Sequence, residues 1–251
     1  MITVKNYVKP GTLEEAYELN QKRANRIIGG MMWIRMGRGN VNTVIDLSGL
    51  GLDQITETET EFRIGCMSTL RQLETHSGLK ETFGDFFKEC TRHIVGVQFR
   101  NGATVGGSIF GRYGFSDILT AFLVLDTKVK LYKKGIVPLS EFIRMDRDRD
   151  ILEELIVAKD GRKAVYLSER RSQTDFPVLT CAASEKDGIV LLSIGARPMK
   201  ADVTETTLDE MEQAADTFTY GSNMRGSREY RNHLGIVLAG RAKKALEEGN
   251  V

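Results

Sequence analysis

Hydrophobic and polar residues in the first half of the chain follow two spacings, one helical and one strand-like. Thr12 and Glu15 form a capping box before apolar residues at helical spacing, so a helix is predicted to begin there. Short apolar runs predict strands, and longer runs at helical spacing predict further helices. The predicted strands are 26–28, 43–47 and 62–65, and the further helices are 69–76 and 80–91.

The second half of the chain carries the pattern of a β-meander followed by helices. Asp160-Gly161 and Asp187-Gly188 separate apolar runs, and Asp-Gly between such runs is a strong hairpin signal. They predict one hairpin of 155–157 with 164–167 and a second of 178–183 with 189–194. Two helices should follow, the first capped by Thr207 and Glu210 and the second covering 228–246.

Two glycine pairs, Gly29-Gly30 and Gly106-Gly107, are the strongest candidate for chemistry. Glycine has no Cβ, so consecutive glycines can present backbone N–H groups to an anion at close range. A brief helical turn through Met36 is expected after the first pair. A buried helix, capped by Ser116 or Asp117, is expected after the second. Two such loops could bind the two ends of one diphosphate.

Composition and charge limit the alternatives. The chain has 251 residues, 41% of them hydrophobic, and a formal net charge of +1 with acidic and basic residues interspersed. This balance gives no reason to expect nucleic acid or a membrane surface as partner. No apolar run has the length of a membrane span or the form of a secretion signal, so a cytoplasmic location is expected.

Cysteine and histidine usage argues against metal or nucleophilic chemistry in this chain. Cys66, Cys90 and Cys181 are odd in number and widely spaced, so each is expected to be a small buried hydrophobe. An iron–sulfur cluster needs four closely spaced thiolates, which the sequence does not contain. No catalytic side chain and no metal site are predicted, and any electrons must arrive from another polypeptide.

Three segments resemble one known family. Residues 100–126, RNGATVGGSIFGRYGFSDILTAFLVLD, resemble the second flavin-binding motif of the FAD-binding (medium) subunit of molybdenum hydroxylases, the xanthine dehydrogenase and carbon monoxide dehydrogenase family. Residues 27–34, IIGGMMWI, resemble the first motif of that subunit. Residues 226–231, GSREYR, resemble its Ser-x-x-Tyr-Arg signature. The three matches have the order and spacing of the family, so the resemblance covers nearly the whole chain.

The resemblance implies an α+β fold with two domains. The first, 1–150, would be a two-part FAD-binding domain of the PCMH/vanillyl-alcohol-oxidase type, with subdomains of about 1–50 and 51–150. The second, 151–251, would be a smaller α+β domain with an antiparallel β-meander and terminal helices. The polar stretch 146–150 is the candidate boundary, although a charge run is more often a solvated surface.

The resemblance also implies a function. The chain would be an FAD-binding electron-transfer subunit that takes electrons from a two-iron two-sulfur small subunit. A molybdopterin large subunit would oxidise a purine, another N-heterocycle or an aldehyde, and the FAD would reduce NAD or another acceptor.

Site residues follow from matching the motifs position by position. Backbone around both glycine pairs would bind the diphosphate, and Asp117 would accept a hydrogen bond from a cofactor hydroxyl or act only as a helix cap. Ile94 and Leu152 would pack at the cofactor or belong to the core. The predicted cofactor-binding set is Ile27, Ile28, Gly29, Gly30, Met31, Met32, Trp33, Ile34, Ile94, Thr104, Val105, Gly106, Gly107, Ser108, Asp117 and Leu152.

Two other functions stay open. One is a self-contained flavoenzyme of the same broad fold, similar to the enolpyruvyl reductase of cell-wall synthesis. The other is an interaction subunit without cofactor, because Met31 and Met32 stand where the family often has a small polar residue. Leu167 stands where some relatives have a lysine near the flavin.

Overall fold

The computed structural model describes residues 2–249, so positions 1, 250 and 251 of the predicted domain ranges lie outside the described residues. The strands are β1 Ile2–Val8, β2 Asn25–Ile28, β3 Gly39–Asp46, β4 Ile55–Glu57, β5 Glu61–Gly65, β6 Thr127–Leu131, β7 Gly135–Pro138, β8 Leu152–Ala158, β9 Lys163–Arg170, β10 Pro177–Lys186, β11 Ile189–Gly195 and β12 Asp202–Thr206. The helices are α1 Leu13–Gln21, α2 Leu70–Thr75, α3 Ser77–Phe83, α4 Phe86–Thr91, α5 Val97–Arg100, α6 Val105–Phe110, α7 Asp117–Phe122, α8 Leu139–Phe142, α9 Met211–Asp216 and α10 Arg228–Glu248. Within residues 2–249, no helix combines the length and the apolar character that crossing a bilayer requires.

A small parallel sheet begins the fold. Its order is β1-β3-β2, and α1 connects β1 to β2. The predicted capping of α1 is confirmed, because the Thr12 hydroxyl accepts a hydrogen bond from the Glu15 amide at 3.1 Å. β2 ends at Ile28, so the Gly29-Gly30 pair lies directly at the carboxyl end of a strand.

A five-stranded sheet and the helices α2 to α7 enclose the main core. The sheet has the order β4-β5-β8-β6-β7, and its pairs are antiparallel. Phe62 of β5 and Phe122 of α7 are fully buried in this core together with Leu155 of β8. Helix α6, which carries the second glycine pair, is therefore held against a rigid sheet.

The third sheet is the predicted antiparallel β-meander, with the order β12-β11-β10-β9. The hairpin of β10 and β11 is confirmed, with its turn at Asp187-Gly188. Helix α10 packs on β10 and begins at the residues of the Ser-x-x-Tyr-Arg signature. Arg231 is fully buried there and donates hydrogen bonds to the backbone oxygens of Val178 and Gly221 at 2.9 and 2.8 Å, so this signature residue fastens α10 to the sheet. The α+β class with a terminal meander is thus confirmed.

The predicted hairpin of 155–157 with 164–167 is wrong. β8 pairs with β5 and β6 of the five-stranded sheet, whereas β9 pairs with β10 of the meander. Between them, Arg162 pairs with Asp160 at 2.6 Å and donates to the Val124 carbonyl at 3.1 Å, which directs the chain from one sheet to the next. β8 belongs to the five-stranded sheet that precedes the meander. We therefore propose that the domain boundary lies between β8 and β9, after residue 158, instead of at residue 150.

Two helix predictions need correction. The helix expected over 80–91 is divided into α3 and α4, because Gly84 has a φ of +61° and ends the first of them. The Thr207–Glu210 capping box does not form. The Glu210 amide donates to the Thr207 carbonyl at 3.2 Å, and α9 starts one residue later.

All three cysteines are buried thiols, as the sequence predicts. Burial raises the pKa of Cys66 and of Cys181 to about 12, so both thiols stay protonated at neutral pH. They contribute packing, and Cys66 lies directly beside the second glycine pair.

Candidate functional site

The two glycine loops, which we define as residues 29–34 and 102–108, lie against each other. An ideal Cβ placed on Gly29 would be 2.2 Å from the Thr104 Oγ1 atom, and one placed on Gly30 would be 1.4 Å from the Gly102 carbonyl oxygen. Side chains at these positions would collide with the other loop. Glycine is therefore required here because two chain segments approach each other, and both loops line one region of the surface.

The first glycine loop presents free backbone donors. Among residues 2–249, no acceptor takes a hydrogen bond from any amide between Gly29 and Ile34. Met31 has a φ of +57°, a left-handed conformation that non-glycine residues rarely adopt. Successive amides around a left-handed residue form a concave surface that binds anions. This loop has the donors that the sequence analysis expected.

The second glycine loop does not present its amides, contrary to expectation. Its segment forms the first turn of α6 with Thr104 as N-cap, and each following amide has an acceptor within the protein. These bonds are Val105 N to Ser68 O at 2.8 Å, Gly106 N to Cys66 O at 2.9 Å, Gly107 N to Thr104 Oγ1 at 3.2 Å and Ser108 N to Thr104 O at 3.2 Å. A Cβ on Gly106 would lie 2.5 Å from the Cys66 oxygen, so Gly106 serves packing against Cys66.

A cleft lies beside the glycine loops, between α7 and the segment that joins β9 to β10. Its cavity volume is about 50 Å³, and it is open to solvent on one side. Four of the predicted site residues line it: Trp33, Ile94, Ser108 and Asp117. Because the cleft also borders Arg170 and Phe176, it lies between the meander and the part of the chain that precedes the meander.

Trp33 lines the cleft and packs against three phenylalanines. Its ring centroid lies 4.9 Å from that of Phe99, 5.2 Å from that of Phe115 and 5.2 Å from that of Phe176. The first two phenylalanines flank the second glycine loop, and Phe176 lies just before β10. Sequence reasoning missed the three phenylalanines because their spacing along the chain does not show that they meet. Phe115 and Phe176 line the cleft together with Trp33 and give it an aromatic side.

Asp117 is a buried carboxylate, 5% exposed, at the end of the cleft. Tyr166 donates to its Oδ1 atom at 2.5 Å, and Arg170 forms an ion pair with the same oxygen. Burial raises the pKa of Asp117, and the positive charge of Arg170 opposes this rise. Since both contacts end on Oδ1, the Oδ2 atom keeps its capacity to accept a hydrogen bond.

The helix-cap alternative for Asp117 is wrong. Ser116 caps α7, with its hydroxyl accepting from the Leu119 amide at 3.1 Å. The partners of Asp117 were also missed by the sequence analysis. Tyr166 and Arg170 are an even number of positions apart on β9 and therefore project from the same face of the strand. That alternation was visible in the sequence, but its relation to Asp117 depends on the fold.

Several predicted site residues do not line the cleft. Ile28 is buried in a small core with Val41 and Val44, and Leu152 is buried in the main core. Other predicted residues have similar structural roles. Ile27 and Val105 pack in or on the main core, Met31 packs against the Ile28 cluster, and Met32 packs against Gly102. Leu167 packs against the core of the meander, on the strand face opposite to that of Tyr166.

The fold and the site define a class: an α+β protein with free loop amides and a buried carboxylate at a cleft between two regions. Residues 3–159 match the family model described as FAD binding domain in molybdopterin dehydrogenase. The match covers more than half of the sequence, so the chain belongs to this family of oxidoreductase flavoprotein domains.

Individual relatives span nearly the whole chain. The uncharacterized protein YgfM of Escherichia coli strain K12 is 26% identical over 253 residues, covering 94% of each chain. The carbon monoxide dehydrogenase from Hydrogenophaga pseudoflava that lacks the Mo-pyranopterin moiety of the molybdenum cofactor is similar with a TM-score of 0.84 and 19% identity, covering 98% of each chain. Quinoline 2-oxidoreductase from Pseudomonas putida 86 is similar with a TM-score of 0.82 and 17% identity, also covering 98% of each chain. These two structures share the complete fold.

The residues present fit the FAD that the family binds. The free amides of the first glycine loop suit a diphosphate, which carries negative charge. The aromatic side of the cleft suits planar rings, and the free oxygen of Asp117 suits a hydroxyl donor.

Proposed function

We propose that this chain binds FAD in the cleft and acts as the electron-transfer flavoprotein subunit of a molybdenum hydroxylase. The observation that carries the proposal is the contact between the two glycine loops, which places unpaired amides of 29–34 beside the cleft. In this proposal, those amides hold the diphosphate and Asp117 accepts a hydrogen bond from a cofactor hydroxyl. Ile94 and Ser108 border the cofactor from the other side.

When bound, FAD supplies the electron-accepting and electron-donating chemistry of the subunit. The chain's own residues bind it and orient it. Trp33 and Phe176 exclude water from the aromatic side, and the Asp117–Arg170 ion pair joins α7 to β9 across the cleft. In this proposal no side chain is needed as an acid or a base.

The partners in this proposal are a two-iron two-sulfur small subunit and a molybdopterin large subunit. The described residues contain no group of three or more His, Cys, Asp or Glu side chains that could hold a metal ion, so the metal centres would belong to other chains. The molybdenum cofactor of one structural relative, carbon monoxide dehydrogenase, supports a molybdopterin partner for this chain. The name of the other, quinoline 2-oxidoreductase, favours an N-heterocycle within the proposed substrates, which also include purines and aldehydes. NAD or another acceptor would receive the electrons from the FAD.

Purification in the presence of FAD tests the proposal. The expected product is yellow, shows the two visible absorption bands of oxidised flavin, and releases FAD and not FMN on denaturation. Co-expression with iron–sulfur and molybdopterin subunits from the same organism should then yield a complex whose FAD is reduced by an N-heterocycle. A folded protein that takes up no FAD contradicts the proposal.

A second candidate is an interaction subunit without cofactor. The engaged amides of the second glycine loop and the aromatic contacts of Trp33 favour it, because both occupy groups that a ligand could use. It predicts a colourless protein that still joins the partner subunits. Purification of a colourless chain within an otherwise active complex would support this candidate over the first.

A further inference from the structure

One side of the cleft is formed by a short connecting segment in a strained conformation. Helix α4 ends at Thr91 and α5 begins at Val97, and the residues between them include His93, Ile94 and Val95, which line the cleft. We call residues 92–96 the wall segment. Val95 has a φ of +53°, in the left-handed region that a β-branched residue occupies only under restraint. Val95 is 42% exposed, so burial alone does not account for this conformation.

Arg100 binds the backbone of this segment on both sides of His93. Its Nη1 atom donates to the carbonyl oxygens of Arg92 and Ile94 at 3.2 and 3.3 Å, one on each side of His93. The Arg100 amide also donates to the Gly96 oxygen at 3.0 Å. Arg100 therefore binds three carbonyl oxygens of the wall segment, two through its side chain and one through its backbone amide. Since the planar guanidinium presents its donors in a fixed geometry, a lysine could not reproduce this arrangement.

Glu74 fixes the guanidinium in turn. Its carboxylate accepts from Nε and Nη2 of Arg100 at 2.8 and 3.0 Å, a bidentate pair. The side chains of Arg100 and Glu74 are only 5% and 7% exposed. A buried, bidentate pair of this kind is geometrically specific, so it determines where Nη1 points.

We propose that Arg100 is a positioning residue that shapes the cleft for its ligand: it holds Ile94 in place by keeping Val95 left-handed, and Glu74 orients it. This inference rests on the proposed binding of FAD in the cleft. Arg100 does not line the cleft itself, so it acts through the wall segment. Without its two bonds to the wall carbonyls, Val95 relaxes to a negative φ and Ile94 moves away from the cleft.

The test compares FAD affinity among matched variants. Arg100→Lys should raise the Kd for FAD by about tenfold, the order of the penalty for a left-handed β-branched residue. Adding Val95→Gly should recover most of this loss, because glycine occupies the left-handed region without penalty. Adding Val97→Gly instead should recover nothing, since Val97 is equally exposed, at 43%, but helical. An unchanged Kd in Arg100→Lys, or equal recovery by both glycine substitutions, overturns the inference.

Two further measurements keep the inference testable in every case. If Arg100→Lys does not fold, Glu74→Gln carries the same comparison, because it removes the charge that orients Arg100 and keeps the side-chain volume. If the unmodified protein binds no FAD, the proposed function fails, and amide hydrogen exchange of residues 92–96 in the ligand-free protein decides the inference. Faster exchange of that segment in Arg100→Lys, with unchanged exchange in β10, supports it, and unchanged exchange at 92–96 refutes it.

Discussion

The Gly30→Ala substitution is the most direct test of the contact between the two glycine loops. The new Cβ would lie 1.4 Å from the Gly102 oxygen and 2.3 Å from the Gly102 carbonyl carbon, which are backbone atoms that cannot rotate away. The loops must separate by about 2 Å before these atoms reach ordinary contact distance. Strain of this kind amounts to about 1–3 kcal/mol. If FAD requires the loops together, that strain corresponds to a rise in Kd of roughly 5- to 150-fold.

The assay is a titration of the purified variant with FAD, followed by flavin or tryptophan fluorescence. Gly11→Ala is the matched control, because within residues 2–249 the nearest atom to its Cβ outside the neighbouring residues would be the Glu15 Oε2 atom at 3.9 Å. We expect Gly11→Ala to bind FAD as the unmodified protein does. Equal Kd values for Gly30→Ala and Gly11→Ala would refute the reasoning.

Three further predictions follow from the site. Trp33 is the only tryptophan, so FAD binding should quench the intrinsic tryptophan fluorescence, and an unchanged emission at saturating FAD would place the ligand elsewhere. Asp117→Ala leaves Arg170 without its buried partner and should lower the free energy of unfolding by about 3–5 kcal/mol in urea denaturation, whereas an unchanged midpoint would show that the ion pair is dispensable. Burial alone would raise the pKa of Glu74, but hydrogen bonds from Arg100 and Arg71 outweigh it and lower the pKa below the ordinary 4.5. The stabilisation from this shift is therefore present above pH 4.5 and lost as the pH falls through the lowered value, and Glu74→Gln should flatten this acid dependence of the unfolding free energy.

Local signals predicted local structure well. The Thr12 cap and the Asp187-Gly188 turn act on neighbouring residues, and both predictions are confirmed. Gly84 was also a visible signal, since a glycine within a helical pattern often ends a helix, but the predicted helix ran through it. The Asp160-Gly161 turn misled because strand pairing is decided by distant partners. β8 and β9 flank that turn and belong to different sheets.

The site was predictable only in part, for the same reason. The glycine pairs pointed to close backbone approach, and the structure places such an approach at Gly29 and Gly30. Whether the amides of a loop remain free depends partly on tertiary neighbours, and Ser68 and Cys66 accept hydrogen bonds from the amides of Val105 and Gly106 in the second loop. Arg170 pairs with Asp117 although it lies 53 positions further along the chain. No sequence motif indicates this contact.

A crystal structure of the protein grown with FAD tests the central claim most directly. The account predicts FAD in the cleft, with its diphosphate accepting hydrogen bonds from amides between Gly29 and Ile34 and with a hydroxyl donating to Asp117 Oδ2. A structure in which the diphosphate contacts neither the first glycine loop nor the cleft, or in which FAD at saturating concentration does not bind, would contradict it.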